Sequence, residues 1–360
     1  IRMYASENLT EWEYLGETGY WGECPDLSRF YLGREEKYVL VCSPEDKEKS
    51  HIYNGTSRED TYYPAEYYVV GHLDEDGLFV GETPLTRLSE GIDSYAFQSF
   101  NNSPDNRVYG VSWAASWKTV GEYEPFRKNY NGGMTVITEL NLTRENEEYV
   151  LKRTPAAGYK ELRGETLKSF HGYLSAGSNA LAGVSASVAD LEVCVDLTES
   201  DATQVTLLLR SSEKERISLS YEVKSETLTL DRSESSLLAG DTTLYQIPYS
   251  ANVPLIDGKL ELRILLDRAF ISVFAGGGRA SFFSAVFPMA ASNGMSLTCD
   301  GDVGVKADVY AMNDIFGGVQ EEGDFFVTAG DVHLTVGEER NICVSSFGNF
   351  DPAKVTLEEA

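Results

Sequence analysis

The densest chemical phrase in the chain is Gly19 to Leu27, GYWGECPDL, which compresses aromatic rings, a glutamate, a cysteine, a proline and an aspartate into a turn after a strand. A carboxylate held beside apolar rings is disfavoured in its ionised form. That raises a glutamate toward the range a general acid needs near neutral pH, which makes Glu23 the leading candidate for proton transfer. Taken alone, the phrase also fits a solvated turn glutamate with no chemistry at all. Elsewhere the reactive residue types are scattered. His51, His72, His171 and His333 show no HExxH-like spacing, and Cys24, Cys42, Cys194, Cys299 and Cys343 include no CxxC pair. Neither a zinc cluster nor a disulfide framework is indicated, the cysteines read as mostly buried free thiols, and the expectation is chemistry with no metal and no cofactor.

The elements that must position Glu23 are strands. KYVLVCS (Lys37 to Ser43), EYYVVGHLD (Glu66 to Asp74), RVYGVSW (Arg107 to Trp113) and GMTVITELNL (Gly133 to Leu142) are short, β-branched or aromatic, and bounded by turn formers. The rhythm returns after about residue 165 in LEVCVDL, TQVTLLLRS, ISLSYEV, LELRILLD and FISVFAG, and no stretch sustains helical periodicity. An all-β protein follows, of the sandwich, barrel or propeller kind. All four tryptophans (Trp12, Trp21, Trp113, Trp117) fall before residue 155, whereas residues 165–315 are rich in Leu, Val and Ser. The chain therefore divides into 1–155, 156–315 after a linker near TPAAGYKELRGE, and 316–360, a linker and incomplete module resembling the first strands of a bacterial immunoglobulin-like repeat. The opening IRMYASENLTEWEYLGE reads as one strand and a turn entering a sheet whose partners precede Ile1.

Composition excludes more than it nominates. With 57 acidic against 30 basic side chains and a formal charge of -27, the chain repels nucleic acid and anionic membrane surfaces, while an uncharged substrate is compatible with it. No run of eighteen apolar residues predicts membrane insertion, and the start at Ile1 suggests a processed product or a fragment.

The GYWGECPDL phrase resembles the ECPD signature of glycoside hydrolase family 32, the invertases, levanases and inulinases, whose glutamate protonates the leaving oxygen of a fructosidic bond. In the family's order, GHLDEDGLF (Gly71 to Phe79), GIDSYAFQSF (Gly91 to Phe100), VYGVSWAASW (Val108 to Trp117) and GGMTVITELNL (Gly132 to Leu142) resemble later blades of its propeller. KLELRILLDRAFISVFAGGGRASFFSAVFP (Lys259 to Pro288) resembles its C-terminal sandwich signature. The resemblance spans roughly residues 1–312. It implies a partial five-bladed β-propeller followed by a β-sandwich, with Glu23 as general acid/base and Cys24 shaping its surroundings. Asp74, Tyr95 and Trp113 match residues near the fructose subsite, although ordinary propeller core is the plainer reading of the two aromatics. Asp26 and Asp93 are motif aspartates expected to make turn hydrogen bonds. Departures from the family's pattern are Leu73 in place of an aromatic, Phe97 in place of proline or alanine, Ala114 in place of methionine, and Ser272 in place of glutamate. HIYNGTSREDTYYPAEYY (His51 to Tyr68) is longer than usual, and its aromatics would extend an acceptor subsite or simply cover the propeller.

A retaining glycosidase needs a nucleophile as well as an acid/base. In this family the nucleophile is the aspartate of an NDPNG-like phrase, and a second aspartate lies in an RDP-like phrase; both precede ECPD. Neither phrase occurs here. The resemblance thus implies a fragment of a fructan β-fructosidase acting on levan, inulin or sucrose, inactive alone and completed by an upstream segment of the same protein. The alternative is a non-catalytic carbohydrate-binding or presenting module. An extracellular or cell-surface bacterial location follows from the tail and the polymeric substrate class.

Overall fold

A computed structural model describes residues 1–44, 65–103, 105–122, 132–236 and 243–313, with strand backbone also at 52–53, 56–57, 325–327 and 344–346. Most of the long stretch from His51 to Tyr68 and most of the 316–360 tail lie outside the described residues. Of the tail, only the backbone pairing of Phe325–Val327 with Val344–Ser346 is described.

The chain opens on β1 (Arg2–Ala5) and β2 (Glu13–Glu17), which pair with each other, so the first segment is a two-stranded hairpin rather than one strand and a turn. Local turn chemistry explains the difference. Ser6 Oγ accepts from the Leu9 amide at 2.8 Å, and Asn8 Oδ1 accepts from the Thr10 and Glu11 amides at 2.9 Å each.

Two antiparallel sheets follow. The first runs β3 (Glu23–Leu32), β4 (Glu35–Ser43), β7 (Tyr67–Leu73), β8 (Phe79–Gly81), with β9 (Thr86–Arg87) also on β7; β5 (Ile52–Tyr53) and β6 (Thr56–Ser57) form a small ribbon between. The second runs β10 (Tyr95–Ser99), β11 (Val108–Trp113), β12 (Thr138–Glu145), β13 (Glu148–Pro155). Phe30, Val39, Val41, Tyr68 and Val70 of the first sheet share a buried cluster with Phe97, Leu140, Leu142 and Leu151 of the second. These residues alternate along their strands, so each sheet turns one apolar face to its neighbour as successive propeller blades do.

The expected strand from Gly133 begins late, at Thr138. Gly132 has φ +86° and a Cβ there would stand 2.4 Å from Trp113 Nε1, so this stretch passes against the indole, meeting β11 at a Met134 bridge to Trp113 and where the Ser112 amide donates to Thr135 Oγ1. Phe97 and Ala114, two departures from the family pattern, are both buried, and Ser272 is buried in the sandwich. They meet protein, not a pocket. Phe97 also fixes a glycine: a Cβ on Gly110 would stand 2.1 Å from the Phe97 ring and 2.8 Å from the Gln98 carbonyl oxygen. Gly110→Ala is therefore expected to cost about 1–3 kcal/mol by overpacking. A lowered midpoint in urea denaturation would register it.

The second unit is a sandwich of two antiparallel sheets. One is ordered β14 (Arg163–Leu174), β24 (Val303–Met312), β15 (Ala189–Asp196), β20 (Lys259–Asp267), β21 (Phe270–Ala275), β22 (Ala280–Ala285). The other is ordered β19 (Tyr249–Asn252), β18 (Thr227–Asp231), β17 (Ile217–Glu222), β16 (Gln204–Ser211), β23 (Gly294–Cys299). Alternating residues such as Leu191, Val193 and Val195 face Val205, Leu207 and Leu209 in one continuous core. Among the described cysteines, Cys42 and Cys299 are buried, Cys194 is half-buried, Cys24 is exposed, and all four are free.

The segment between β9 and β10 joins the two units. Glu90 forms a parallel bridge to Phe282, with its amide donating to Ser281 O at 2.7 Å, and Ile92 is a fully buried member of the sandwich core. Gly91, at φ +105°, allows this approach, because a Cβ would come within 2.8 Å of the Phe283 carbonyl oxygen. Asp93, expected to serve a turn, is instead buried and ion-paired with Arg232 of the sandwich.

Candidate active site

Glu23 is the first residue of β3, and its strand pairing opposite Ser43 is followed by a bulge before Asp26. The facing strand β10 carries its own irregularity between Tyr95 and Gln98. Cys24 (φ +49°) and Ala96 (φ +59°) sit in the left-handed region at these two bulges. Such a conformation costs a non-glycine residue on the order of 1–3 kcal/mol, and it re-aims the side chains on either side. Here it sends Glu23 and Tyr95 toward one another: the Tyr95 hydroxyl donates to Glu23 Oε2 at 2.9 Å, with Ser43 O also within 3.4 Å.

A second donor reaches the same oxygen. Trp117 Nε1 donates to Glu23 Oε2 at 3.3 Å, and the Trp117 ring packs edge-on against Trp113 with centroids 5.1 Å apart at 69°. The carboxylate therefore meets the polar tips of two aromatic residues rather than their apolar faces, and it is itself exposed. Tyr95 is almost fully buried, so its hydroxyl is held on a rigid stem, while Trp117 is 65% exposed and forms an outer wall. A carboxyl with one oxygen fixed by two donors leaves the other oxygen to face a leaving group, the geometry a proton donor needs.

Neighbouring groups hold this arrangement together. The Asp26 carboxylate accepts from the Ser99 amide and hydroxyl at 2.8 Å each and from Ser28 Oγ at 3.0 Å, tying β3 to β10 instead of closing a turn. Gln98 Nε2 donates to the Cys24 carbonyl at 3.1 Å, and Ser43 Oγ accepts from the Ala96 amide at 3.2 Å. Partial burial, then the charges of Glu23 and Glu66, push the Cys24 thiol up from its ordinary value. Cys24 is thereby kept in its protonated form and is poorly suited to act as a nucleophile.

Of the residues the sequence singled out, Glu23, Cys24, Tyr95 and Trp113 come together. Asp74 does not. It follows β7, whose Tyr67 end lies beside Cys42 near the site, so Asp74 is a strand's length away, roughly 20 Å at about 3.3 Å per residue. Its carboxylate caps the hairpin turn, accepting from the Asp76 and Leu78 amides at 3.0 and 2.8 Å. Trp117, Ser43 and Gln98 were not singled out. The VSWAASW phrase did contain the Trp117 signal, but nothing in its spacing set that tryptophan above Trp113.

Tyr95→Phe removes the shorter of the two bonds to Glu23. A hydrogen bond to a charged group contributes about 1.5–3 kcal/mol, less where water competes, so in the full protein a loss of about tenfold in kcat is expected with KM near its original value. An unchanged kcat would show that the phenol plays no part in proton transfer.

The pattern of the glycosyl hydrolase family 32 N-terminal domain matches residues 1–155, and that of the family 32 C-terminal domain matches residues 158–311. A levanase of Bacillus sp. (strain L7) is 26% identical over 316 residues, covering 84% of this chain and 33% of that protein. A levanase of Bacillus subtilis (strain 168) is 26% identical over 339 residues, covering 88% and 47%. An exo-inulinase structure from Aspergillus awamori superposes with a TM-score of 0.73 at 20% identity, over 87% of this chain and 62% of that one. The chain thus spans a third to about a half of the length of these two levanases.

Proposed function

Because the chain belongs to glycoside hydrolase family 32, we propose that it carries the acid/base half of a retaining fructan β-fructosidase acting on levan, inulin or sucrose. The observation that carries this reading is the exposed Glu23 carboxyl, with one oxygen fixed by Tyr95 and Trp117 beside the Trp113 ring. In the first displacement Glu23 gives its proton to the glycosidic oxygen as the bond to fructose breaks. In the second it takes a proton from the water that releases fructose from the enzyme. The two aromatic residues orient the carboxyl and offer flat surface to a sugar ring.

The other partner in a double displacement is a nucleophilic carboxylate about 5–5.5 Å away across the sugar. No NDPNG-like or RDP-like phrase occurs in the 360 residues, and the chain covers only 33% and 47% of the two levanases. The proposal therefore includes a nucleophile supplied by an upstream segment of the same protein, completing a five-bladed propeller, with this chain inactive alone. It also includes an immunoglobulin-like module in the tail and an extracellular or cell-surface location. A carbohydrate-binding or presenting module is the competing reading, favoured by the absence of the nucleophile phrase.

The deciding experiment measures fructose released from levan, inulin and sucrose by the full protein and by this chain separately, following the first-formed anomer by NMR. Release of β-fructofuranose by the full protein alone supports the proposal. Inversion of the anomer, or tight binding to fructans with no release by either, overturns it.

A further inference from the structure

Three consecutive residues, Asp93, Ser94 and Tyr95, are fastened in three directions. Tyr95 reaches Glu23, and Ser94 Oγ donates to the buried Glu66 carboxylate at 2.9 Å. Asp93 points the opposite way, into the sandwich, where its carboxylate accepts from the Ala285 amide at 3.0 Å and from the guanidinium of Arg232. That guanidinium has further partners of its own. Arg232 Nη1 donates to the Ala285 carbonyl at 2.7 Å, Nη2 donates to the Tyr249 hydroxyl at 2.6 Å, and the group lies 4.6 and 5.3 Å from the centroids of the Tyr245 and Tyr249 rings. Arg232, Asp93, Tyr245 and Tyr249 are all fully buried.

We infer that Arg232, a residue of the sandwich, is a positioning residue for the acid/base carboxyl: it holds Asp93 so that Tyr95, two residues on, meets Glu23 in one geometry. This rests on reading Glu23 as the acid/base. The physical argument is leverage. The Tyr95 ring is set by its backbone, the backbone turns through the left-handed Ala96 immediately afterwards, and Asp93 is the nearest residue tied to a rigid body other than the two blades. If the Asp93 end is released, the 89–95 segment keeps its Glu66 contacts, its bridge at Glu90 and the buried Ile92, but loses the tie nearest to Tyr95, the one that sets the angle at which Tyr95 emerges. A misplacement of about 1 Å at a catalytic group costs up to about 10²-fold in rate.

The sandwich contains no tryptophan, because all four lie in residues 1–155, so in this chain intrinsic tryptophan emission reports only the other side of the interface. In the full protein, Arg232→Leu and Asp93→Asn are expected to lower kcat by tenfold to about a hundredfold while KM stays within about twofold. In this chain, emission should shift in the same direction as in Tyr95→Phe, which breaks the bond to Glu23, and Tyr95→Phe combined with Arg232→Leu should shift it no further. Arg232→Lys, which keeps the charge but not the planar fork, should fall between, and millimolar guanidinium should restore part of the rate to Arg232→Ala. If Arg232→Leu does not fold, Arg232→Lys and Asp93→Asn carry the comparison. Variants that melt earlier yet keep wild-type kcat and emission would reduce Arg232 to a stabilising residue and overturn the inference. If the wild-type protein cleaves no fructosyl substrate, the functional reading fails, and the emission comparison still decides the coupling.

Discussion

Glu23→Gln in the full protein is expected to cut fructose release from a natural fructan by about 10²–10⁴-fold, the range that general acid–base catalysis contributes. Glutamine keeps the side chain's length and still accepts from the Tyr95 hydroxyl and Trp117 Nε1, so neither donor is left without a partner. The melting temperature should therefore hardly move. What disappears is the transferable proton. The deficit should shrink on an aryl fructoside whose leaving group departs without protonation, because only the first displacement then escapes the need for an acid. An equal deficit on both substrates would point to lost binding instead, and wild-type rates on levan would remove Glu23 from the mechanism.

The second large effect is on stability. Arg153 of β13 is fully buried and donates to Glu66 Oε2 at 3.1 Å, Thr138 Oγ1 at 3.0 Å and Ser112 Oγ at 2.9 Å, with its guanidinium 4.4 Å from the centroid of the Phe283 ring. Burial pushes the guanidinium down from its ordinary value, and the Glu66 charge opposes that. Glu66 is equally buried and also accepts from Ser89 and Ser94. Arg153→Met leaves that carboxylate without its counter-charge, at an expected cost of about 3–5 kcal/mol in chemical denaturation. Adding Glu66→Gln should recover at least about half of the loss, since a neutral amide tolerates the same surroundings far better. A single variant within about 1 kcal/mol of wild type, or a double variant no better than the single, would mean that the two groups do not depend on each other.

The separation along the chain decides which of these features can be read from sequence. The strand character of Lys37 to Ser43 and Arg107 to Trp113 was legible because alternation and turn residues are local signals, and both segments fold as strands. The hairpin at Arg2–Glu17 was misread for a local reason, the turn chemistry of Ser6 and Asn8. Glu23 was legible because the ECPD phrase is compact. Its donors are not: Tyr95 lies 72 residues away and Trp117 lies 94. The Asp93 partner is 139 residues distant, so a motif aspartate that looks like a turn residue gives no sign of an inter-domain ion pair. Asp74 shows the converse, a motif match whose side chain is spent on its own hairpin.

Ile92 has a consequence for how such proteins can be recombined. It is encoded among the blades yet completes the interior of the sandwich, where it is fully buried. A sandwich transplanted from residue 156 onward would arrive with a hole the size of that side chain, and large-to-small losses in cores cost about 2–5 kcal/mol. A foreign set of blades would have to present an isoleucine-sized residue at the same spot, followed by an acid for Arg232. The two units are therefore expected to be inherited as a pair, with exchange between relatives tolerated only where the donor's 90–93 segment already matches the recipient.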